Sequence, residues 1–281
     1  MNTTPAIVLE VDGLVVEYAA KGRRAQPFRA LHGVSLDIRP GETVGLVGES
    51  GSGKTTLGRA VLGLAPVAEG EIRYAGRVIS RLSARERRTL SAEIQVVFQD
   101  PYTSLNPAMT VGDILTEPLL VSGTARASAE QRVRGLLDQV RLPADAAHRL
   151  PREFSGGQRQ RVAIARALCR EPRLIVCDEP VSALDLSTQA RVLELFVEIQ
   201  ERTGVAYLFI THDLSVVRCV SHRVAVMHRG RIVESGEAAA VTGDPRDPYT
   251  RRLMLAAPVP DPERQRERRE RRRSLMAGAA E

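Results

Sequence analysis

The sequence predicts an α/β fold: a mostly parallel sheet core with an N-terminal antiparallel β subdomain and a helical subdomain. Three observations predict it. Short continuous apolar runs at Thr43–Val47, Leu174–Cys177 and Ala206–Ile210 each stand just before a polar or glycine-containing segment and then a helical pattern. Such runs mark parallel strands buried on both faces, and the repeated strand–helix order argues for one α/β core. Residues 7–18 and 33–38 alternate more, with no helical pattern between them, as antiparallel strands do. From residue 101 to about 170 the pattern becomes helical, with periodicity over 129–140 and again over 155–169.

Composition sets the frame for these elements. The chain has 281 residues, 43% apolar and 26% charged, with a formal net charge of +6. That is ordinary for a globular protein, long enough for one large domain or two closely packed ones. No run approaches the roughly 18 apolar residues of a spanning helix, and Met1–Pro5 shows no basic and then apolar leader, so a cytoplasmic protein is expected. Seven arginines against three glutamates between Glu263 and Arg273 give +4 of the net charge, leaving +2 for everything else. The body is nearly balanced, which argues against a nucleic-acid partner. Cys169, Cys177 and Cys219 have neither metal-ligand nor disulfide spacing and are expected to be small core residues.

The first apolar run feeds Gly48-Glu49-Ser50-Gly51-Ser52-Gly53-Lys54-Thr55, which fits G-x-x-x-x-G-K-[ST], and a helix is predicted from Thr56 to Leu62. Glycines let backbone N–H groups converge on phosphate oxygens, and the helix start adds partial positive charge. Lys54 is expected on the β- and γ-phosphates, and the Thr55 hydroxyl on Mg²⁺. The motif alone says only nucleoside triphosphate.

Pro101, Asn106 and Pro107 predict a loop ahead of the helical insertion. Ser155 and Gln158 can form an S-x-x-Q capping box. Such a box does not need Gly156 and Gly157, which are poor in a first helical turn and point to a backbone that something large must approach. The second run ends in Asp178-Glu179. Such a pair can cap a strand; beside a P-loop it can instead hold Mg²⁺ through Asp178 and take a proton from water through Glu179. His212 follows the third run, where it can cap the strand or reach a γ-phosphate. A fourth run, Val224–Met227, is a further strand, and beyond Pro258 the apolar content collapses into a charged tail.

With these residues in this order, the sequence from about Ile7 to Pro258 resembles the ATP-binding cassette (ABC) family. The resemblance implies a P-loop, RecA-like core, a signature motif at Ser155–Gln158, Walker-B acids at Asp178 and Glu179, a switch histidine at His212, a D-loop at Ser182–Asp185 and a Q-loop at Gln99. It places Tyr18 where an aromatic stacks on adenine. Phe28 is a weaker candidate, because a basic insertion, Lys21–Arg24, separates the two. Implied catalytic residues are Glu179, His212 and Gln99. The implied nucleotide site is Tyr18, Gly48 to Thr56 and Ser155 to Gln158, with Thr55, Gln99 and Asp178 around Mg²⁺. The run Phe98–Pro107, and Gly243-Asp244-Pro245 with Asp247-Pro248-Tyr249-Thr250, resemble importers of oligopeptides, dipeptides and nickel. Phe154 stands where the wider family usually has Leu, and no cysteine follows Cys219, so no iron–sulfur centre is expected.

The resemblance also implies an organisation. Residues 1–257 would be the ATPase domain, with a helical subdomain over 101–170 and a C-terminal segment over 236–257, followed by a tail over 258–281. ATP would lie between the P-loop of one cassette and the signature of another. Implied partners are a second ATPase subunit of the same or a paralogous kind, two integral membrane permeases and, indirectly, an external solute-binding protein. The place implied is the cytoplasmic face of the inner membrane. A cassette ATPase without a transporter, such as a phosphonate-degradation subunit, stays open as the alternative.

Overall fold

The computed structural model describes residues 7–19 and 27–256; the basic insertion Lys21–Arg24 and the tail 258–281 lie outside the described residues. The chain opens with β1 (Leu9–Tyr18) and β2 (Phe28–Ile38), paired antiparallel with Leu9 opposite Ile38 and Tyr18 opposite Phe28. Next come β3 (Thr43–Val47) and α1 (Lys54–Val61). The chain then returns as β4 (Val67–Tyr74) and β5 (Arg77–Val78), completing a four-stranded antiparallel sheet in the order β2-β1-β4-β5. α2 (Ala84–Leu90) and β6 (Ile94–Val97) follow.

The helical subdomain contains α3 (Pro101–Ser104), α4 (Val111–Val121), α5 (Arg126–Gln139), two 3₁₀ turns at Ala144–His148 and Pro151–Glu153, and α6 (Gly156–Leu168). The chain then alternates through β7 (Leu174–Asp178), α7 (Leu186–Thr203), β8 (Ala206–Ile210), α8 (Leu214–Val220), β9 (Arg223–His228) and β10 (Arg231–Glu237). It closes on α9 (Ala238–Gly243) and α10 (Pro248–Ala256). The second sheet has the order β10-β9-β3-β8-β7-β6; every pairing in it is parallel except β9 with β10.

The strand period of two divides the core between two layers. Leu174, Val176, Leu208 and Ile210 face α1 and the antiparallel sheet; Ile175, Cys177, Tyr207 and Phe209 face the helices. On the helical side Phe196 of α7 meets Tyr207 and Phe209 edge-on, with ring centroids 5.5 and 5.4 Å away. Each such pair adds about 0.5–1.5 kcal/mol beyond area burial. A smaller third cluster, including Val47, Val217, Val226, Val241 and Tyr249, packs the C-terminal helices against the end of β3.

The structure refines three expectations. The loop marked by prolines contains a helical turn, α3, because Asp100 caps it through the N–H of Tyr102 (2.8 Å) and proline is well placed in a first turn. α4 carries Pro118 in its interior, which masks its helical pattern in the sequence. Cys169 and Cys177 are buried as expected, but Cys219 is exposed: it lies on the solvent side of α8, whose apolar face is carried by Leu214, Val216, Val217 and Val220.

Candidate active site

β3 delivers the chain into the glycine-rich loop at its C-terminal end. Gly48 has φ +155, and a Cβ there would lie 2.1 Å from the carbonyl oxygen of Met227 on β9, so no side chain fits. Gly53 caps α1 without a side-chain hydrogen bond, which leaves the first-turn N–H groups free for an anion. The Ser52 hydroxyl is buried with no partner, an orphan that a phosphate oxygen would satisfy. Lys54 is only 5% exposed, and its ammonium donates to the carbonyls of Gly48 (2.8 Å) and Glu49 (2.9 Å). Burial pulls the Lys54 pKa down, opposed by the charges of Glu179, Asp178 and Glu49. A phosphate would restore the balance, since opposite charges about 4 Å apart attract by roughly 4 kcal/mol near a protein surface.

The acidic pair sits at the same end of the sheet. The Thr55 hydroxyl donates to Asp178 Oδ1 (3.1 Å), tying the first turn of α1 to the tip of β7. Burial pushes the Asp178 pKa up, countered by the Thr55 hydrogen bond and reinforced by the charge of Glu179. A divalent cation would reverse that shift. Among the described residues no group of three or more His, Cys, Asp or Glu could hold a metal. The donor set is the one Mg²⁺ uses, a carboxylate and a hydroxyl completed by waters and phosphates.

Glu179 holds a left-handed backbone, φ +49, a strain of order 1–3 kcal/mol for a non-glycine residue. Its N–H donates to the carbonyl of Ile210 (2.9 Å), which locks the end of β7 to the end of β8. That turn sends its carboxylate toward His212, with Oε2 3.1 Å from Nδ1. His212 is mostly exposed and follows the buried Thr211, whose hydroxyl accepts the N–H of Asp213 (3.0 Å). The sequence placed both residues; their contact with each other it did not show.

The segment at Ser155 lies on another element. Ser155 and Gln158 form the capping box: the Gln158 N–H donates to the Ser155 hydroxyl (3.3 Å), and the Ser155 N–H to Gln158 Oε1 (2.9 Å). Gly157 has a reason inside the chain, because a Cβ there would lie 2.2 Å from Thr188 Cγ2 of α7. Gly156 is the open one, where an added Cβ would meet only Leu184 at an ordinary 3.5 Å. Among the described residues no hydrogen bond or ion pair joins 155–158 to the glycine-rich loop.

The remaining candidates are distributed around this edge. Gln99 is exposed, just past β6. Tyr18 is half-buried against the core, and the strand register sets it opposite Phe28, which is 68% exposed. The hairpin therefore brings both aromatics together despite the insertion between them. Ser182 donates its hydroxyl to the Glu179 carbonyl (3.0 Å), and Asp185 caps α7 through the N–H groups of Ser187 and Thr188. One residue had no assigned role in the sequence: Tyr249 of α10, whose phenol oxygen accepts the N–H of Glu49 (3.1 Å). The sequence signal for it is its place in Asp247-Pro248-Tyr249-Thr250, a run that carries the importer resemblance but no role for the tyrosine.

Comparison with known proteins agrees with the fold. A family profile described as ABC transporter matches residues 31–182. The chain is 49% identical over 259 residues to the glutathione import ATP-binding protein GsiA of Salmonella typhimurium, covering 90% of this chain and 42% of that protein. The chain therefore spans less than half the length of these relatives. It is also 49% identical over 262 residues to a putative peptide import ATP-binding protein of Brucella ovis, covering 93% of this chain and 81% of the relative. Among solved structures, cbiO1 from Clostridium perfringens, part of the ABC transporter complex cbiONQ, superposes with a TM-score of 0.76 at 27% identity, covering 85% and 92% of the two chains. A dimeric ATP-binding cassette in a post-hydrolysis state, bound to ADP and Pi, gives 0.72 at 28% identity, covering 82% and 98%. Among the described residues no helix is long and apolar enough to cross a membrane.

Proposed function

The chain belongs to the ABC transporter family, and from that premise we propose that it is the ATP-binding and ATP-hydrolysing subunit of an importer for peptides or a related small solute. The observation that carries this is the convergence of buried Lys54, the Thr55–Asp178 pair and the Glu179–His212 pair on one edge of the parallel sheet. That edge, outside the carboxyl ends of the strands, is where open α/β sheets bind ligands. The 49% identity to glutathione and peptide import subunits supports the class of solute.

Lys54 would keep its two backbone carbonyls and turn its third N–H to the β- and γ-phosphates, and the α1 N–H groups with Ser52 would hold the oxygens between them. Thr55 and Asp178, with Gln99, would hold Mg²⁺, which would supply positive charge against the phosphates. Glu179 would accept the proton of the attacking water. His212 fixes that carboxylate through Nδ1 and keeps Nε2 available for a phosphate oxygen. Tyr18 would lie against the adenine.

Ser155 to Gln158 would face the γ-phosphate of a second cassette, a copy of this chain or a relative of it. The loop from Asp100 to Pro107 would seat a short segment of one of two membrane permeases, with an external solute-binding protein delivering the cargo. The subunit would then lie peripherally on the cytoplasmic face of the inner membrane. Glu179→Gln tests the central role: ATP affinity should stay within about twofold, while turnover falls by roughly 10²–10⁴, the usual weight of a general base. Hydrolysis at the wild-type rate in that variant would remove Glu179 from the role.

A further inference from the structure

The C-terminal segment reaches into the phosphate cradle from behind. We propose that Tyr249 is a positioning residue for Lys54, acting through the peptide unit between Gly48 and Glu49. The proposal rests on the glycine-rich loop being a triphosphate site.

A trans peptide points its N–H and its carbonyl in opposite directions. In this unit the N–H of Glu49 donates to the Tyr249 phenol at 3.1 Å, and the Gly48 carbonyl accepts from Lys54 Nζ at 2.8 Å. Phenol and ammonium therefore hold the two ends of one rigid plane. Turning that plane would carry the Gly48 carbonyl away from Nζ and disturb the Glu49 carbonyl, its second acceptor at 2.9 Å. Gly48 resists such a turn weakly, because glycine has the widest backbone freedom. A brace from outside the loop supplies what the loop lacks.

The brace is itself well fixed. Tyr249 is 6% exposed, and its ring stacks on His228 at 3.9 Å with the planes 16° apart. Its N–H and that of Thr250 donate to Asp247 Oδ1 (2.7 and 3.3 Å), and the preceding N–H groups of Arg246 and Asp247 donate to Glu234 of β10 (2.8 and 3.1 Å). On the other flank of the loop the Gly230 N–H donates to the Ser52 carbonyl at 2.8 Å. The loop is thus held from both sides by elements that follow β9. Core packing alone would be served by phenylalanine; the hydroxyl's contact is with the loop.

Tyr249→Phe keeps the ring, the stack and the apolar packing and removes the acceptor. In the purified protein, the Kd and KM for ATP should rise roughly five- to tenfold, the loss of one hydrogen bond. The kcat should stay within about twofold and thermal stability should fall only slightly, since one part-buried hydrogen bond is lost but the ring still fills its site. In a Lys54→Ala background the same substitution should weaken residual binding of a fluorescent ATP analogue no further, because coupled residues are non-additive. An unchanged Kd and KM in Tyr249→Phe, or an equal loss in both backgrounds, would overturn the proposal. Failure of the wild-type protein to bind ATP at all would instead overturn the reading of the loop on which it rests.

Discussion

α1 and α6 both carry glycine at their starts, as the cap of one and the first residue of the other, and their first turns are treated in opposite ways. α1 starts at Gly53 with no side-chain cap, a buried lysine as its first residue and an unpartnered Ser52 hydroxyl beside it. α6 starts at Ser155 with a reciprocal capping box and an exposed serine. Its neighbouring cation, Arg159, is committed elsewhere: it donates to the carbonyls of Pro151 (2.7 Å) and Arg152 (3.2 Å), and its guanidinium lies 3.9 Å over the Tyr102 ring. A terminus with free donors and its own cation can bind an anion alone. One that is already half satisfied, with its first-turn arginine committed elsewhere, is suited to complete a site whose charge is met by another body.

That contrast can be broken in several ways. The largest expected effect is at α1, where Lys54→Ala removes the cation and should weaken ATP binding at least 100-fold, measured with a fluorescent analogue. Gly157→Ala comes second, because its new methyl would strike Thr188; overpacking of this kind costs about 1–3 kcal/mol, seen as a lower Tm. Adding Thr188→Ser removes the struck methyl and should restore the Tm. If turnover stays low in that repaired variant, the glycine also serves the approach of a ligand. Ser155→Ala should lower stability by about 1 kcal/mol through the lost cap and lower turnover, with ATP affinity of the isolated chain unchanged.

The smallest effect is a pH dependence at Asp178. Its folded pKa is raised, so the folded state binds more protons than the unfolded state above the ordinary carboxylate range. Stability of the ligand-free protein should therefore fall as pH rises from near 3.8 through the folded pKa. Asp178→Asn should flatten that part of the profile in a pH series of thermal melts; an unchanged slope would assign it to other groups.

What could be read in the sequence was local. The Thr43–Val47 strand, the glycine-rich loop and the lysine lie within a dozen residues, and each follows from backbone rules that act at short range. The capping box at Ser155 is equally short-range. The rest depends on pairings between distant parts of the chain. β4 joins β1 across α1, with Leu9 opposite Tyr74, and no pattern in either strand names its partner. Gly157 is forced by Thr188 as well as by any ligand, Glu179 finds His212 through a left-handed turn, and Tyr249 meets a loop 200 positions away. α4 was obscured by Pro118, which the surrounding packing of Ile114, Leu115 and Leu119 overrides.

The difference between the two helix starts is most directly tested by amide hydrogen exchange on Glu179→Gln with ATP, in the isolated chain and in the assembled complex. The N–H groups of Lys54 to Thr56 should gain protection from ATP in both, and those of Gly156 and Gly157 only where a second cassette is present. ATP-dependent protection of Gly156 and Gly157 in the dilute isolated chain, or its absence from the assembled complex, would contradict the division of the site between two molecules.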